Sequence, residues 1–173
     1  METLIGNKAP LFKAKAVVNG NKFVEGFSLE QFIGKKDVIF FFYPLDFTFV
    51  CPTELIAFQR QIQDFKKRNV EVVACSIDSE FSHWAWLNTE QNNGGIKGVK
   101  YPIVSDLDKT ISESFGVLAG EYDYDEDGKL IFTGAPVAYR GLFLIDKKGE
   151  ELVTSKEIGE GVGNAEHSWG LLI

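Results

Sequence analysis

The sequence predicts an α/β domain, a central mixed sheet flanked by helices. Two runs, 37–43 and 70–77, are apolar at consecutive positions, the mark of strands buried on both faces. Between them Leu55, Phe58, Ile62 and Phe65 recur at spacings of three and four, one apolar helical stripe. A third strong strand is expected over 138–145, so strands and helices alternate along the chain.

The elements follow in order. The first thirty residues read as short strands and turns, with a hairpin around Asn19-Gly20, a strong turn dipeptide. Pro44 stops the strand 37–43, and the loop 45–50 leads into a helix that has Pro52 in its first turn, where the missing N–H costs nothing. Glu54 near its start and Lys66, Lys67 and Arg68 near its end suit the helix dipole, and Asn69 closes it. Ser79 caps the next helix, which runs to about Asn88 and carries Phe81, Trp84 and Ala85; Asn93-Gly94-Gly95 breaks it. Trp84 and Trp86, two apart, cannot both face the core fully, and His83 is read as structural or exposed. A short strand over 101–104 and a short helix over 108–115, ended by Gly116, come next. The turn 146–149 closes the third strand, and 150–158 is a possible last one.

Composition narrows the function. With 173 residues, 45% of them apolar, the chain suits a single domain, 1–173, with a real core rather than a disordered segment. No apolar run approaches the ~20 residues of a membrane-spanning helix. Eighteen Lys and Arg against 25 Asp and Glu give a net charge of −7, which disfavours nucleic acid as a partner. Two cysteines, Cys51 and Cys75, make no disulfide framework, and the N-terminus lacks a basic stretch followed by an apolar one. Both features suggest a reducing, cytoplasmic setting. Two histidines and two cysteines scattered along the chain make a structural zinc site improbable, and no cofactor or metal is expected.

Cys51 is the residue most suggestive of chemistry. It stands where a buried strand has ended and a helix begins, and the open N–H groups and dipole of a helix N-terminus favour an anion. A thiolate there is expected at a lowered pKa, and the thiolate is the nucleophile. Thr48, three residues upstream, can donate and accept a hydrogen bond. Phe47, Phe49 and Val50 can keep water away. The setting suits a small polar oxidant with two oxygens. The alternative is a buried, inert thiol. No Cys-x-x-Cys exists, which excludes a thioredoxin-type dithiol site. Cys75, inside a strand apolar on both faces, reads as core.

The run Phe41-Phe42-Tyr43-Pro44-Leu45-Asp46-Phe47-Thr48-Phe49-Val50-Cys51-Pro52-Thr53-Glu54 resembles the active-site signature of the peroxiredoxins, most of all the typical two-cysteine branch that includes the peroxidase component of bacterial alkyl hydroperoxide reductase. Further motifs match in order: 76–79 with His83-Trp84-Ala85-Trp86, the glycine motif 94–98, the stretch 101–106, and 139–146 around Arg140. The resemblance covers roughly residues 4–149, and several ordered motifs weigh more than one. It implies a thioredoxin-like fold and a thiol peroxidase for hydrogen peroxide and small organic hydroperoxides. Cys51 would attack the O–O bond and become a sulfenic acid. Pro44 would shield the site, Thr48 would hold the peroxide, Arg140 would keep Cys51 ionised and steady the charge developing on oxygen, and Glu54 would orient an arginine. The implied partners are the peroxide, a thiol reductant (thioredoxin-like or a dedicated flavoprotein reductase), and further copies of the chain in a homodimer or a ring of dimers. A chaperone-like holding role and a thiol–disulfide oxidoreductase are the competing readings.

The sequence departs from the family twice. Residues 150–173 diverge: the family's C-terminal helix, its resolving cysteine and its second arginine have no counterpart there, so an outside thiol is expected to reduce Cys51. At 120–130 the family has a shorter link. Asp123, Asp125, Asp127 and Gly128 resemble the opening of a calcium loop, but the twelfth position is Gly134 rather than Glu. The segment is read as a solvated hairpin turn around Asp127-Gly128.

Overall fold

The computed structural model describes residues 4–156. Of the expected divergent segment 150–173, residues 157–173 lie outside that range. Seven strands form one mixed sheet in the order β2-β1-β5-β4-β3-β8-β9, and β6 and β7 form a separate two-stranded sheet. The strands are β1 (Ala14–Val18), β2 (Lys22–Phe27), β3 (Asp37–Phe42), β4 (Val70–Ser76), β5 (Ile103–Ser105), β6 (Leu118–Tyr124), β7 (Leu130–Ala138), β8 (Gly141–Ile145) and β9 (Glu151–Lys156). The helices are α1 (Cys51–Arg60), α2 (Ile62–Lys67), α3 (Glu80–Leu87) and α4 (Thr110–Ser114). The central strands β3, β4 and β5 are parallel, and β3–β8, β8–β9, β1–β5 and β1–β2 are antiparallel.

Alternation along β3 divides the core into two layers. Phe40 and Phe42 enter one layer with Val73, Cys75, Phe115 and Phe143. Phe41 enters the other with Cys51, Leu55, Phe58, Val72, Ala74 and Trp86. Successive side chains on a strand point to opposite faces, so both faces of the central strands are covered and consecutive apolar positions follow.

The hairpin at Asn19-Gly20 is present, with φ of 54° and 80°, the left-handed pair a tight two-residue hairpin turn requires. The turn around Asp127-Gly128 joins β6 to β7, with Gly128 at φ 76°. Trp86 is fully buried and Trp84 is 42% exposed, as their spacing required.

Three elements differ from expectation. The helix expected over 52–69 is broken at Gln61, whose N–H is shared between the carbonyls of Ala57 and Phe58. That shared bond tightens one turn, and Leu55, Phe58 and Ile62 stay buried across it. Helix α3 has its Ser79 cap, the hydroxyl accepting from the Ser82 N–H at 3.2 Å, yet it turns Phe81 outward and buries Glu80, His83, Trp86 and Leu87. Polar partners decide that face: Lys15 meets Glu80 at 2.8 Å, and Asp46 meets His83 at 2.8 Å. The strand expected over 138–145 is interrupted at Tyr139-Arg140, because Tyr139 turns back to donate its N–H to the Val117 carbonyl at 2.7 Å. Arg140 therefore lies in a break between β7 and β8 rather than on a continuous strand.

Candidate active site

The site is assembled from the end of β3, the loop 44–50, the first turn of α1 and the break before β8. Cys51 opens α1 and is completely buried, with Pro52 beside it and no side-chain cap on the helix. Cys51 and Glu54 are three apart, so both face the same side of the helix, and that side meets Arg140. Arg140 Nε donates to Glu54 Oε1 at 2.9 Å and Oε2 at 3.2 Å, while Nη2 points to Cys51 Sγ at 3.5 Å. The ion pair is nearly dry, with side-chain exposures of 12% for Arg140 and 2% for Glu54. Thr48 Oγ donates to the Leu45 carbonyl at 3.2 Å, and its side chain also reaches the Cys51 thiol. Pro44 is buried at the start of the loop. The structure thus gathers Cys51, Thr48, Glu54 and Arg140, and places Pro44 at the base of the loop that carries Thr48.

The expected lowered pKa of Cys51 is not what this geometry gives. Burial pushes the thiol up from its ordinary value, and the Glu54 carboxylate pushes the same way. The Thr48 side chain, the Arg140 guanidinium and the Leu45 backbone pull it down without cancelling the burial. Taking sulfur out of water disfavours the anion, and part of the guanidinium's charge is already engaged by Glu54.

Beneath the loop lies a buried polar network that the sequence did not reveal. Tyr43 donates its hydroxyl to Asp46 Oδ1 at 2.7 Å, and Ser82 donates to Asp46 Oδ2 at 2.8 Å. His83 Nδ1 lies 2.8 Å from Asp46 Oδ2, and its Nε2 lies 3.1 Å from the Val104 carbonyl. The Asp46 N–H donates to Asp78 Oδ2 at 2.9 Å, and the Ser76 hydroxyl to the same oxygen at 2.6 Å. These bonds clamp the loop to β4, β5 and α3. His83 is structural, as one of its two expected readings had it. Its partner lies 37 residues away, a distance no local pattern reports.

Cys75 is fully buried on β4, in the core layer opposite Cys51. Burial, and then the Asp106 carboxylate, push its thiol well above the ordinary value. Among the described residues no cluster of three His, Cys, Asp or Glu side chains could hold a metal ion, and no helix is long and apolar enough to cross a membrane.

A mixed sheet with a cysteine at the first turn of the helix after a central strand, facing an arginine at the entry to the neighbouring strand, defines a thioredoxin-like protein with a helix-terminal thiol. The AhpC/TSA family matches residues 5–150, and the chain belongs to that family, on its typical two-cysteine peroxiredoxin side. It is 50% identical over 146 residues to the chloroplastic 2-Cys peroxiredoxin BAS1 of Hordeum vulgare, covering 84% of this chain and 62% of that one. It is 44% identical over 164 residues to peroxiredoxin-2 of Macaca fascicularis, covering 93% and 75%. The reduced 2-Cys peroxiredoxin of Plasmodium vivax superposes with a TM-score of 0.77 at 41% identity, covering 93% and 77%. AhpC of Enterococcus faecalis does so with a TM-score of 0.74 at 34% identity, covering 95% and 87%. The chain spans about half of the Spinacia oleracea and Arabidopsis thaliana BAS1 proteins, 49% of each.

Proposed function

We propose that this chain is a thiol peroxidase that reduces hydrogen peroxide and small organic hydroperoxides at Cys51. The observation that carries this reading is the Arg140 guanidinium held by Glu54 and directed at the Cys51 sulfur at 3.5 Å. Ionised sulfur attacks one peroxide oxygen and the O–O bond breaks. The sulfur becomes a sulfenic acid, and the departing oxygen takes up a proton and leaves as water or an alcohol. The thiol's own proton balances the reaction. Charge grows on the leaving oxygen, where fixed donors lower the barrier most, and Arg140 and Thr48 are the donors nearest that path. The Thr48 hydroxyl donates to the Leu45 carbonyl, and its single proton is free to turn toward sulfur or peroxide instead. The uncapped first turn of α1 adds its open N–H groups. Pro44 and the Asp46–His83 clamp hold the loop in place, so they are positioning residues.

Burial raises the Cys51 thiol against the pull of Thr48, Arg140 and the Leu45 backbone, so its rate is expected to climb with pH. Cys75 sits in the opposite core layer, so a thiol other than Cys75 returns the sulfenic acid to the thiol, and an outside thiol is the proposed one. A thioredoxin-like protein and a dedicated flavoprotein reductase are the two candidate donors. A homodimer or ring of dimers is supported by the exposed aromatic surface of Phe23, Phe81 and Trp84, whose rings pack at 5.7 and 6.4 Å. Two free cysteines suit a reducing compartment such as the cytoplasm.

Peroxide consumption with dithiothreitol as reductant tests the assignment. The wild type consumes peroxide and Cys51→Ser does not. Consumption that persists in Cys51→Ser removes the assignment.

A further inference from the structure

The β6–β7 hairpin is a surface without a use in the chemistry above. Its strands pair with each other and with no other described strand, and a lone two-stranded hairpin is marginal in water unless a face is covered. The register sets Tyr122 opposite Phe132 and Tyr124 opposite Leu130, so these four side chains share one face. Tyr122 and Phe132 meet edge to face at 4.9 Å, while Tyr124 is 67% exposed and Leu130 54%. The other face and the tip are acidic. Glu121, Asp123, Asp125, Glu126 and Asp127 stand against a single Lys129 over 118–138, and among the described residues none of the five is in an ion pair.

We propose that the aromatic face of this hairpin docks a protein segment bearing apolar and basic side chains. The apolar row requires a cover, and the carboxylates at the tip next to the Tyr124–Leu130 pair, Asp125, Glu126 and Asp127, choose its charge. A second copy of the hairpin would bring like charge to like charge within a Debye length, whereas lysine and arginine satisfy the carboxylates and lie favourably on the Tyr122 and Tyr124 rings. This reading is independent of the peroxidase assignment.

The test is a titration of the full chain with a short synthetic peptide alternating leucine and lysine, and with a leucine–glutamate counterpart. The lysine peptide is expected to bind, less tightly as salt rises, and the glutamate peptide is not. Glu126→Gln and Asp127→Asn together leave the apolar face intact and are expected to weaken binding by about tenfold. Tyr122→Ser with Tyr124→Ser is expected to lose about tenfold or more. Equal binding of the two peptides, no binding, or no effect of the charge substitutions overturns the proposal. So does self-association of the full chain that the same substitutions abolish, because a second copy is then the occupant.

Discussion

The two cysteines lie on opposite faces of one sheet, and both are completely buried. Burial pushes both thiols up. They differ in their company. Around Cys51 a guanidinium, a side-chain hydroxyl and a backbone group oppose the desolvation, and the sulfur sits at an uncapped helix start. Around Cys75 nothing among the described residues opposes it, and Asp106 adds to it. The contrast teaches that burial alone does not distinguish the two thiols. The charges and donors around each sulfur do.

The comparison is broken most severely at sulfur itself. Cys51→Ser should abolish peroxide reduction, and Cys75→Ala should leave the rate of Cys51 oxidation unchanged, as stopped-flow measurement of peroxide loss will show. Arg140→Met comes next. It removes the charged donor, and the reaction should slow by about 10²–10³. It also takes the guanidinium out of a nearly dry ion pair with Glu54, so chemical denaturation should show a loss of about 3–5 kcal/mol. A rate preserved in Arg140→Met would assign the reactivity to the helix start alone.

Glu54→Gln sharpens the comparison in the other direction. The carboxylate raises the Cys51 pKa, so its neutral counterpart should move the pH profile of Cys51 oxidation toward lower pH while the guanidinium stays in place. Below the folded pKa the wild-type rate should climb about tenfold per pH unit as the thiolate fraction grows. The smallest effect is on stability. A thiol raised on folding contributes stability that is complete below its unfolded value near ~8.5 and is lost as pH rises through the folded value. Unfolding free energy should therefore fall in alkali, and Cys75→Ala should flatten that fall.

The sheet was legible because its central strands announce themselves. Phe40, Phe41 and Phe42 are apolar at consecutive positions only because both faces of β3 are covered. The Asn19-Gly20 hairpin and the Ser79 cap were legible because local chemistry specifies them. The outward turn of Phe81 on α3 was not, because Asp46 and Lys15 choose that face from elsewhere in the chain. The break at Arg140 was hidden for a similar reason: Val117 draws Tyr139 back. The residues that meet around Cys51 were brought to notice by an ordered motif. The raised Cys51 thiol was not foreseen, since desolvation belongs to the packed structure and not to the stretch 44–54.

The most direct measurement is to treat the reduced chain with one equivalent of hydrogen peroxide, trap sulfenic acid with a dimedone probe and map the adduct by mass spectrometry. The account predicts labelling at Cys51, faster as pH rises, with Cys75 unlabelled. Labelling at Cys75 with Cys51 still a thiol, or a Cys51–Cys75 disulfide, would contradict it.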